Sequence, residues 1–130
     1  QNVIFTASNK TFQLFDMDGQ KMARRKWATM YDGIDAIFFC LAISEYDQVM
    51  VEDMKTNRLT DSMDLLDMVA HEPKFAETPI FVFLNEIDVF TNKLEIFPLE
   101  QFLPDYNGKS TEEAITFIEN MAKVRVGRNE

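Results

Sequence analysis

The stretch Leu14-Phe-Asp-Met-Asp-Gly-Gln20 combines residue types and a spacing that suit phosphate chemistry. Residues 11–16 alternate apolar and polar side chains, which predicts a strand, and residues 22–31 carry apolar side chains at helical spacing. A strand ending on Asp16, followed by a turn at Gly19 and Gln20, would offer a carboxylate to a hydrated metal, N–H groups to an anion and an amide to a water molecule. The structural alternative is a plain Asp-Gly turn between two elements.

The composition limits the possible classes of protein. A chain of 130 residues, 46% of them hydrophobic, is a single globular domain or part of one. Its formal charge of −9 disfavours nucleic acid and anionic lipid as partners. The single cysteine, Cys40, excludes a disulfide framework and favours a reducing compartment. No apolar run is long enough to cross a bilayer, and residues 1–4 do not resemble a signal peptide.

Hydrophobic periodicity predicts strands that alternate with helices. The predicted strands cover residues 3–7, 11–15, 34–43 and 80–84, the first two as a hairpin. The predicted helices cover residues 22–30, 51–70 and 110–121, with an irregular, partly helical excursion over 90–106. Ser110 and Glu113 form a capping box at the start of the last helix. This order predicts an α/β fold with a doubly wound, mostly parallel sheet and helices on both faces.

Polar residues follow three of the predicted strands. Asp16, residues 44–47 and residues 85–88 each stand where a strand ends. Ligands of open α/β sheets bind at the carboxyl ends of the strands. We therefore expect these polar residues to lie along one rim.

Several motifs, taken together, resemble the α subunit of heterotrimeric G proteins. They are Leu14-Phe-Asp-Met-Asp-Gly-Gln20, Arg24-Arg-Lys-Trp27, Ala36-Ile-Phe-Phe-Cys40, Ser44-Glu-Tyr-Asp-Gln48, Glu52-Asp53, Asn57-Arg58, Phe83-Leu-Asn85 and Pro104-Asp-Tyr-Asn-Gly108. They follow the order and spacing of the family over residues 12–121. The resemblance implies a P-loop NTPase-like (Ras-like) fold that binds GTP or GDP with Mg²⁺. It also implies a switch that leaves βγ subunits for an effector and couples to a G-protein-coupled receptor.

The resemblance assigns roles at the nucleotide. Asp16 matches the aspartate that holds Mg²⁺ through water, and Gly19 matches the glycine that contacts the γ-phosphate. Gln20 matches the glutamine that orients the attacking water, so it is the implied catalytic residue. Asn85 and Asp88 match the pair that reads guanine, in which the carboxylate accepts from N1 and N2 and the asparagine bonds the N7 edge. Their structural alternative is a polar corner between a strand and a loop.

The resemblance also implies a partner surface on the helix of residues 22–31. Trp27 matches the tryptophan that βγ subunits and effectors cover, and Arg25 and Lys26 lie beside it in sequence. Arg24 matches an arginine that pairs with an acid on the next long helix, where Asp61 stands. An exposed pair of this kind contributes only about 0.2–1 kcal/mol, so an ordinary solvated ion pair is the alternative.

Two residues depart from the family at the nucleotide. Asp18 stands where the family has glycine, and at ~6 Å with an effective dielectric constant near 20 each opposing charge costs roughly 2–3 kcal/mol. Glu86 stands where the family has a lysine lying along the guanine ring, which removes packing and inverts the charge. Ala23 also replaces the usual acid of the switch helix. These departures support the hypothesis of a divergent α subunit with fast exchange or poor affinity for nucleotide.

Parts of the family's GTPase domain have no counterpart in these residues. They are the phosphate loop, the first switch, the last strand and helix, and the inserted helical domain. We therefore expect residues 1–130 to be a partial GTPase domain, either a piece of a longer chain or not independently stable. The strand of the phosphate loop would lie between those of residues 12–15 and 37–43, so the sheet should have a gap in its middle. Membrane attachment would come only from other parts, placing the protein in the cytoplasm at the cytosolic face of the plasma membrane.

Two alternatives to a working switch stay open. The first is a pseudo-GTPase, an interaction scaffold that keeps Arg24, Lys26 and Trp27 for partners while Asp18 and Glu86 impair nucleotide binding. The second is a small flavodoxin-like response domain that shares only the sheet. This second alternative does not explain the guanine-reading pair together with the switch helix.

Overall fold

The computed structural model describes residues 2–17, 27 and 31–128. It divides the chain into two compact units, Gln1–Ile34 and Asp35–Glu130. Among the described residues, no helix is both long and apolar enough to cross a membrane.

The first unit contains an antiparallel hairpin. Strands β1 (Asn2–Ala7) and β2 (Lys10–Phe15) pair with Phe5 opposite Phe12. Ser8 and Asn9 at the tip have φ angles of 51° and 63°, as the two-residue turns that fit the twist of a hairpin require. The rings of Phe5 and Phe12 stack with their centroids 5.2 Å apart. The hairpin predicted from the sequence is therefore confirmed.

The second unit is built on a parallel pair of strands. Strands β3 (Ile37–Ala42) and β4 (Ile80–Asn85) pair in register, from Ile37 beside Ile80 to Ala42 beside Asn85. Phe39, Leu41, Ile80, Val82 and Leu84 belong to the core or pack against it. Phe38, Phe81 and Phe83 are exposed. In the described part of this unit, one face of the pair is packed against the core and the other is exposed.

The sheet of this chain is divided. The described strands form two separate two-stranded sheets, one of β1 and β2 and one of β3 and β4. The expected gap between the strand of residues 12–15 and that of residues 37–43 stays a prediction. The parallel pair and its helices confirm an α/β unit, whereas the described strands do not form one continuous doubly wound sheet.

The part of the chain that the structure describes contains three α-helices, all of which follow β3 in sequence. They are α1 (Arg58–Ala70), α2 (Ile87–Leu94) and α3 (Thr111–Val126). Short 3₁₀ turns cover Ile43–Asp47, Pro73–Phe75 and Leu99–Gln101. The backbone N–H of Glu113 donates to Ser110 Oγ at 3.1 Å, so the predicted cap of α3 is confirmed. This helix extends past residue 121 and ends at Gly127, which has a φ of 63°.

Helix α1 begins later than the predicted residue 51. The Asp53 carboxylate accepts from the backbone N–H groups of Lys55 and Thr56 at 2.9 Å each, which satisfies these donors outside a helix. Val49 and Asn57 then form an isolated antiparallel bridge. Asn57 caps α1, because its side chain accepts from the N–H of Thr60 at 3.1 Å. Local hydrogen bonds therefore replace the first two predicted turns.

The core of the second unit lies between these helices and the inner face of the sheet. Leu59, Met63 and Leu66 of α1 are buried, as their helical spacing predicts. Tyr46, with no exposed surface, packs edge-on against Phe90 at 5.4 Å between centroids. Its hydroxyl donates to the carbonyl of Phe97 at 2.6 Å. Burial, assisted by the Asp47 carboxylate, raises the pKa of Tyr46 to about 12.

Arginines at the end of α3 attach it to α1. Arg125 lies 2.7 Å from the Asp64 carboxylate and 3.3 Å from that of Asp67, and its hydrogen bond to Asp64 is the main cause that raises the pKa of Arg125. Arg128 donates to the carbonyls of Ala70, Phe75 and Thr78 at 2.6–3.0 Å. The carbonyl of Ala70 is one of those left open at the end of α1, so this cation completes the helix terminus.

Candidate functional site

Polar side chains meet where the two parallel strands end. Ala42, the last residue of β3, is paired with Asn85, the last residue of β4. The residues that follow each strand therefore share one edge of the sheet. We call the polar residues at this edge the polar corner: Ser44, Asp47, Asn85, Glu86, Asp88 and Lys93.

The two predicted guanine-reading residues both lie in this corner. Asn85 ends β4 and Asp88 lies in the first turn of α2, and both are exposed. Glu86 stands between them as the N-cap residue of α2, with φ 64° and ψ 37°. This left-handed residue reverses the chain between strand and helix, at a cost of roughly 1–2 kcal/mol for an L-residue. Asn85 and Asp88 therefore stand on either side of the same turn.

Ser44 connects the two strand ends. It is 4% exposed, and its hydroxyl donates to Glu86 Oε2 at 2.9 Å. Its carbonyl accepts from Lys93 Nζ at 2.9 Å, and the same ammonium lies 2.8 Å from Asp47 Oδ1. Helix α2 is therefore attached to the turn after β3 at both of its ends. The ammonium of Lys93 also offsets part of the negative charge that the three acids bring to the corner.

Asp16 lies in the other unit of the chain. It follows β2 in the first unit and is exposed, whereas Asn85 and Asp88 belong to the second unit. A single accessible carboxylate fits a Mg²⁺ ion that keeps most of its water, because this cation is commonly held by one or two carboxylates and several waters. In the described ranges, no three His, Cys, Asp or Glu side chains converge as a metal cluster would require.

Several predicted site residues lie outside the described residues. They are Asp18, Gly19, Gln20, Arg24, Arg25 and Lys26. Trp27 is described and is partly buried. Asp61 is only 6% exposed, although the alternative considered for its pairing with Arg24 is an exposed, solvated ion pair. The proposed pairing of Arg24 with Asp61 stays a prediction.

Lys93 is a part of the corner that the sequence pattern does not predict, whereas Ser44 belongs to residues 44–47, which are expected at this rim. The pattern assigns no hydrogen bond to the Ser44 hydroxyl, and Lys93 falls in the segment 90–106 that is predicted as irregular and partly helical. One available signal was the alternation of buried strands, since parallel neighbours bring their carboxyl ends together. A long cation on the helix after the second strand would then reach the acids after the first.

Comparison with known proteins identifies the family. The family model described as the G-protein alpha subunit matches residues 1–129, which is nearly the whole chain. The chain belongs to the G-protein α-subunit family. The resemblance drawn from the motifs is thereby confirmed.

Relatives from other organisms agree with this family assignment. The guanine nucleotide-binding protein alpha-13 subunit of Caenorhabditis briggsae is 60% identical over 130 residues, which are 100% of this chain and 37% of that protein. The protein of the same name from Caenorhabditis elegans is 59% identical with the same coverage. The G(o) subunit alpha of Lymnaea stagnalis is 42% identical over 118 residues, 90% of this chain and 33% of that protein. The chain thus spans little more than a third of these family members.

Proposed function

We propose that the protein containing this chain is a guanine-nucleotide-binding signal transducer of the α-subunit type. It would couple a G-protein-coupled receptor to an effector through a GTP-dependent switch that slow GTP hydrolysis turns off. The observation that carries the proposal is the family match over residues 1–129. The exposed position of Asn85 and Asp88 at the end of a parallel strand supports it, since open α/β sheets bind ligands at such ends.

Guanine recognition falls to the polar corner. The Asp88 carboxylate accepts hydrogen bonds, so it suits the N1 and N2 donors of guanine, while the Asn85 amide can bond the N7 edge. Both side chains are exposed to a ligand. The pair therefore distinguishes guanine from bases that lack an N2 amino group.

Hydrolysis falls to residues after β2. In this proposal, Gln20 would orient the attacking water, Gly19 would contact the γ-phosphate, and Asp16 would hold Mg²⁺ through water. The cation supplies charge neutralisation of the phosphates when it is bound. These three roles are supported by the family match and by the exposed carboxylate that follows β2.

The partners proposed for this protein are βγ subunits, a receptor and an effector. Arg24, Lys26 and Trp27 form the partner surface in this proposal, and the Arg24–Asp61 pair stabilises it in the GTP form. Residues 1–130 would be a partial Ras-like GTPase domain, whose phosphate loop and first switch belong to the remainder of the protein. The coverage of 37% of the alpha-13 relative supports this assignment. The protein would act at the cytosolic face of the plasma membrane, held there by other parts.

A pseudo-GTPase is the second candidate, and two departures from the family favour it. Asp18 places an acid beside the phosphate turn, and Glu86 adds one to a corner that already contains Asp47 and Asp88. Lys93 is the one basic residue of this polar corner. In this second candidate, the surface around Trp27 carries the function.

Binding of a fluorescent GTP analogue to the full-length protein, with and without Mg²⁺, tests the proposal. We expect saturable, Mg²⁺-dependent binding followed by slow release of phosphate. Absence of binding at ~100 µM analogue, in protein shown to be folded, would overturn the switch and favour the scaffold.

The reversion Asp18→Gly with Glu86→Lys tests whether these two acids weaken the binding of nucleotide. A large gain in affinity would show that the two acids impair binding, whereas unchanged affinity would show that the pocket accommodates both. Glu95→Lys is the control for the Glu86→Lys part of this change, because it makes the same change of charge at an exposed residue just after α2.

A further inference from the structure

We propose that Ser44 and Glu86 are positioning residues for guanine recognition, in place of the lysine of the family. Their hydrogen bond fixes the chain between Asn85 and Asp88 and so sets the placement of the reading pair. The inference rests on the proposed function and deepens it for the same site. In this inference, Glu86 does more than remove the positive charge of the family's lysine, because its carboxylate positions the reading pair.

The first step concerns the backbone of Glu86. Its φ of 64° lies in the left-handed region, which a non-glycine residue adopts only where its surroundings hold it there. The residue is also the N-cap of α2, yet its side chain makes no capping hydrogen bond. The carboxylate is directed instead to Ser44, at 2.9 Å from the hydroxyl. This contact is a tertiary restraint on the left-handed corner.

The second step concerns the rigidity of Ser44. The residue is 4% exposed and lies between neighbours that are fully buried, Ile43 before it and Tyr46 two positions later. A hydroxyl on such a segment has little freedom, and a hydrogen bond to a carboxylate is stronger than one between neutral groups. Ser44 therefore anchors the corner of β4 to the core beside β3.

The third step concerns the far end of α2. Lys93, in the last turn, donates to the carbonyl of Ser44 and lies within 2.8 Å of Asp47 Oδ1. Glu86 and Lys93 thus attach both ends of a helix of 8 residues to the same turn. Asp88 lies on the first turn of this helix, so its placement depends on the two attachments.

Ser44→Ala in the full-length protein tests positioning without changing any charge. We expect the Kd for a fluorescent GDP analogue to rise by roughly 10–150-fold, the range for losing one charge-assisted hydrogen bond. The preference for guanosine over inosine nucleotides should fall as well, because Asp88 reads the N2 amino group that inosine lacks. A purely structural role would lower stability without changing this preference.

Variants of Glu86 show whether the hydrogen bond or the charge matters. Glu86→Gln keeps an oxygen acceptor but loses the charge, so we expect its Kd and base preference to lie closer to those of the parent protein than to those of Glu86→Ala. Glu86→Ala should resemble Ser44→Ala, and the double variant should be no worse than either single one, since both remove the same bond. Ser110→Ala is the stability control, because it removes the cap of α3 and leaves the polar corner untouched.

The outcomes separate the two proposals. If the parent protein binds no guanine nucleotide, the proposed function fails and this inference fails with it. If the parent binds but Ser44→Ala leaves Kd and base preference unchanged, or Ser110→Ala changes them equally, the inference alone is overturned. A Glu86→Gln variant that behaves like Glu86→Ala would also overturn the hydrogen-bond role. Loss in Ser44→Ala with retention in Glu86→Gln and Ser110→Ala supports it.

Discussion

The hairpin of the first unit and the parallel pair of the second are supported in different ways. None of the described residues in the first unit is buried, whereas both strands of the parallel pair contribute to a core with Tyr46 and Phe90 at its centre. The hairpin is specified locally, by its turn and its cross-strand pairs. The parallel pair depends on residues distant in sequence, because parallel strands need a long crossover connection. The hairpin, which precedes Asp16, is therefore held by local pairing. The parallel pair, which ends at Asn85, is held by core packing.

This difference bears on the nucleotide site. Asp16 follows the hairpin strand, while Asn85 and Asp88 follow a strand with a buried inner face. Substitutions in the core should therefore affect guanine recognition through stability. Substitutions in the hairpin should act locally and weakly.

The largest effect is expected from Phe90→Ala, which removes packing from the core that supports the parallel pair. Phe90 has no exposed surface and packs against Tyr46, so removal of its ring leaves a cavity and costs about 3–5 kcal/mol of the free energy of unfolding. Denaturant unfolding of the full-length protein measures this loss. Ile96→Ala, at a residue 71% exposed, is the control and should change stability by less than about 0.5 kcal/mol. Similar losses for both variants would contradict a core centred on Phe90.

An intermediate effect is expected from pH acting on the core through Tyr46. The pKa of Tyr46 is raised from 10.0 to about 12, so the folded state holds this proton more tightly than the unfolded state. The resulting stability is complete below pH 10 and is lost as pH rises through 12, by roughly 2–3 kcal/mol for two pKa units.

The variant Tyr46→Phe tests this pH dependence, because phenylalanine keeps the ring and removes the titrating group. Unfolding midpoints of the parent protein and the variant, measured from about pH 9 to about pH 11, should converge as pH rises. Midpoints that fall in parallel would show that another group governs alkaline stability.

The smallest effect is expected from Phe12→Ala in the hairpin. The Phe5–Phe12 stack is a partly exposed cross-strand pair, so its loss should cost roughly 0.2–1 kcal/mol. Amide hydrogen exchange should accelerate in β1 and β2 and stay unchanged in β3 and β4. This result would show that the hairpin is stabilised independently of the core. Faster exchange in both pairs of strands would show that the hairpin shares the stability of the core.

Elements with local signals were predictable from the sequence. Ser8 and Asn9 mark the hairpin turn, and Ser110 with Glu113 marks the start of α3; both were confirmed. The spacing of Leu59, Met63 and Leu66 gave the buried stripe of α1. In each case, residues close in sequence determine the local conformation.

Features that depend on tertiary proximity were not predictable. A uniformly apolar run such as residues 36–43 looks the same whether one face or both are covered, so the exposure of Phe38 was missed. The late start of α1 depends on the turn at Asp53, which competes with a good helical pattern. The bond between Ser44 and Glu86 joins residues 42 positions apart. The motif located Asn85 and Asp88, but only the fold shows what holds them.

The exposed face of the parallel pair makes this part of the protein prone to self-association. Strands β3 and β4 read Ile-Phe-Phe-Cys-Leu-Ala and Ile-Phe-Val-Phe-Leu-Asn, two six-residue segments without charge, proline or glycine. Segments of this kind pair edge to edge into stacked sheets, and the faces of two such sheets form the dry interfaces of amyloid-like fibrils. Phe38, Phe81 and Phe83 already lie exposed on one side of the pair. A cell that makes these residues must bury this face during synthesis, or rely on chaperones to keep the nascent strands from cross-β assembly.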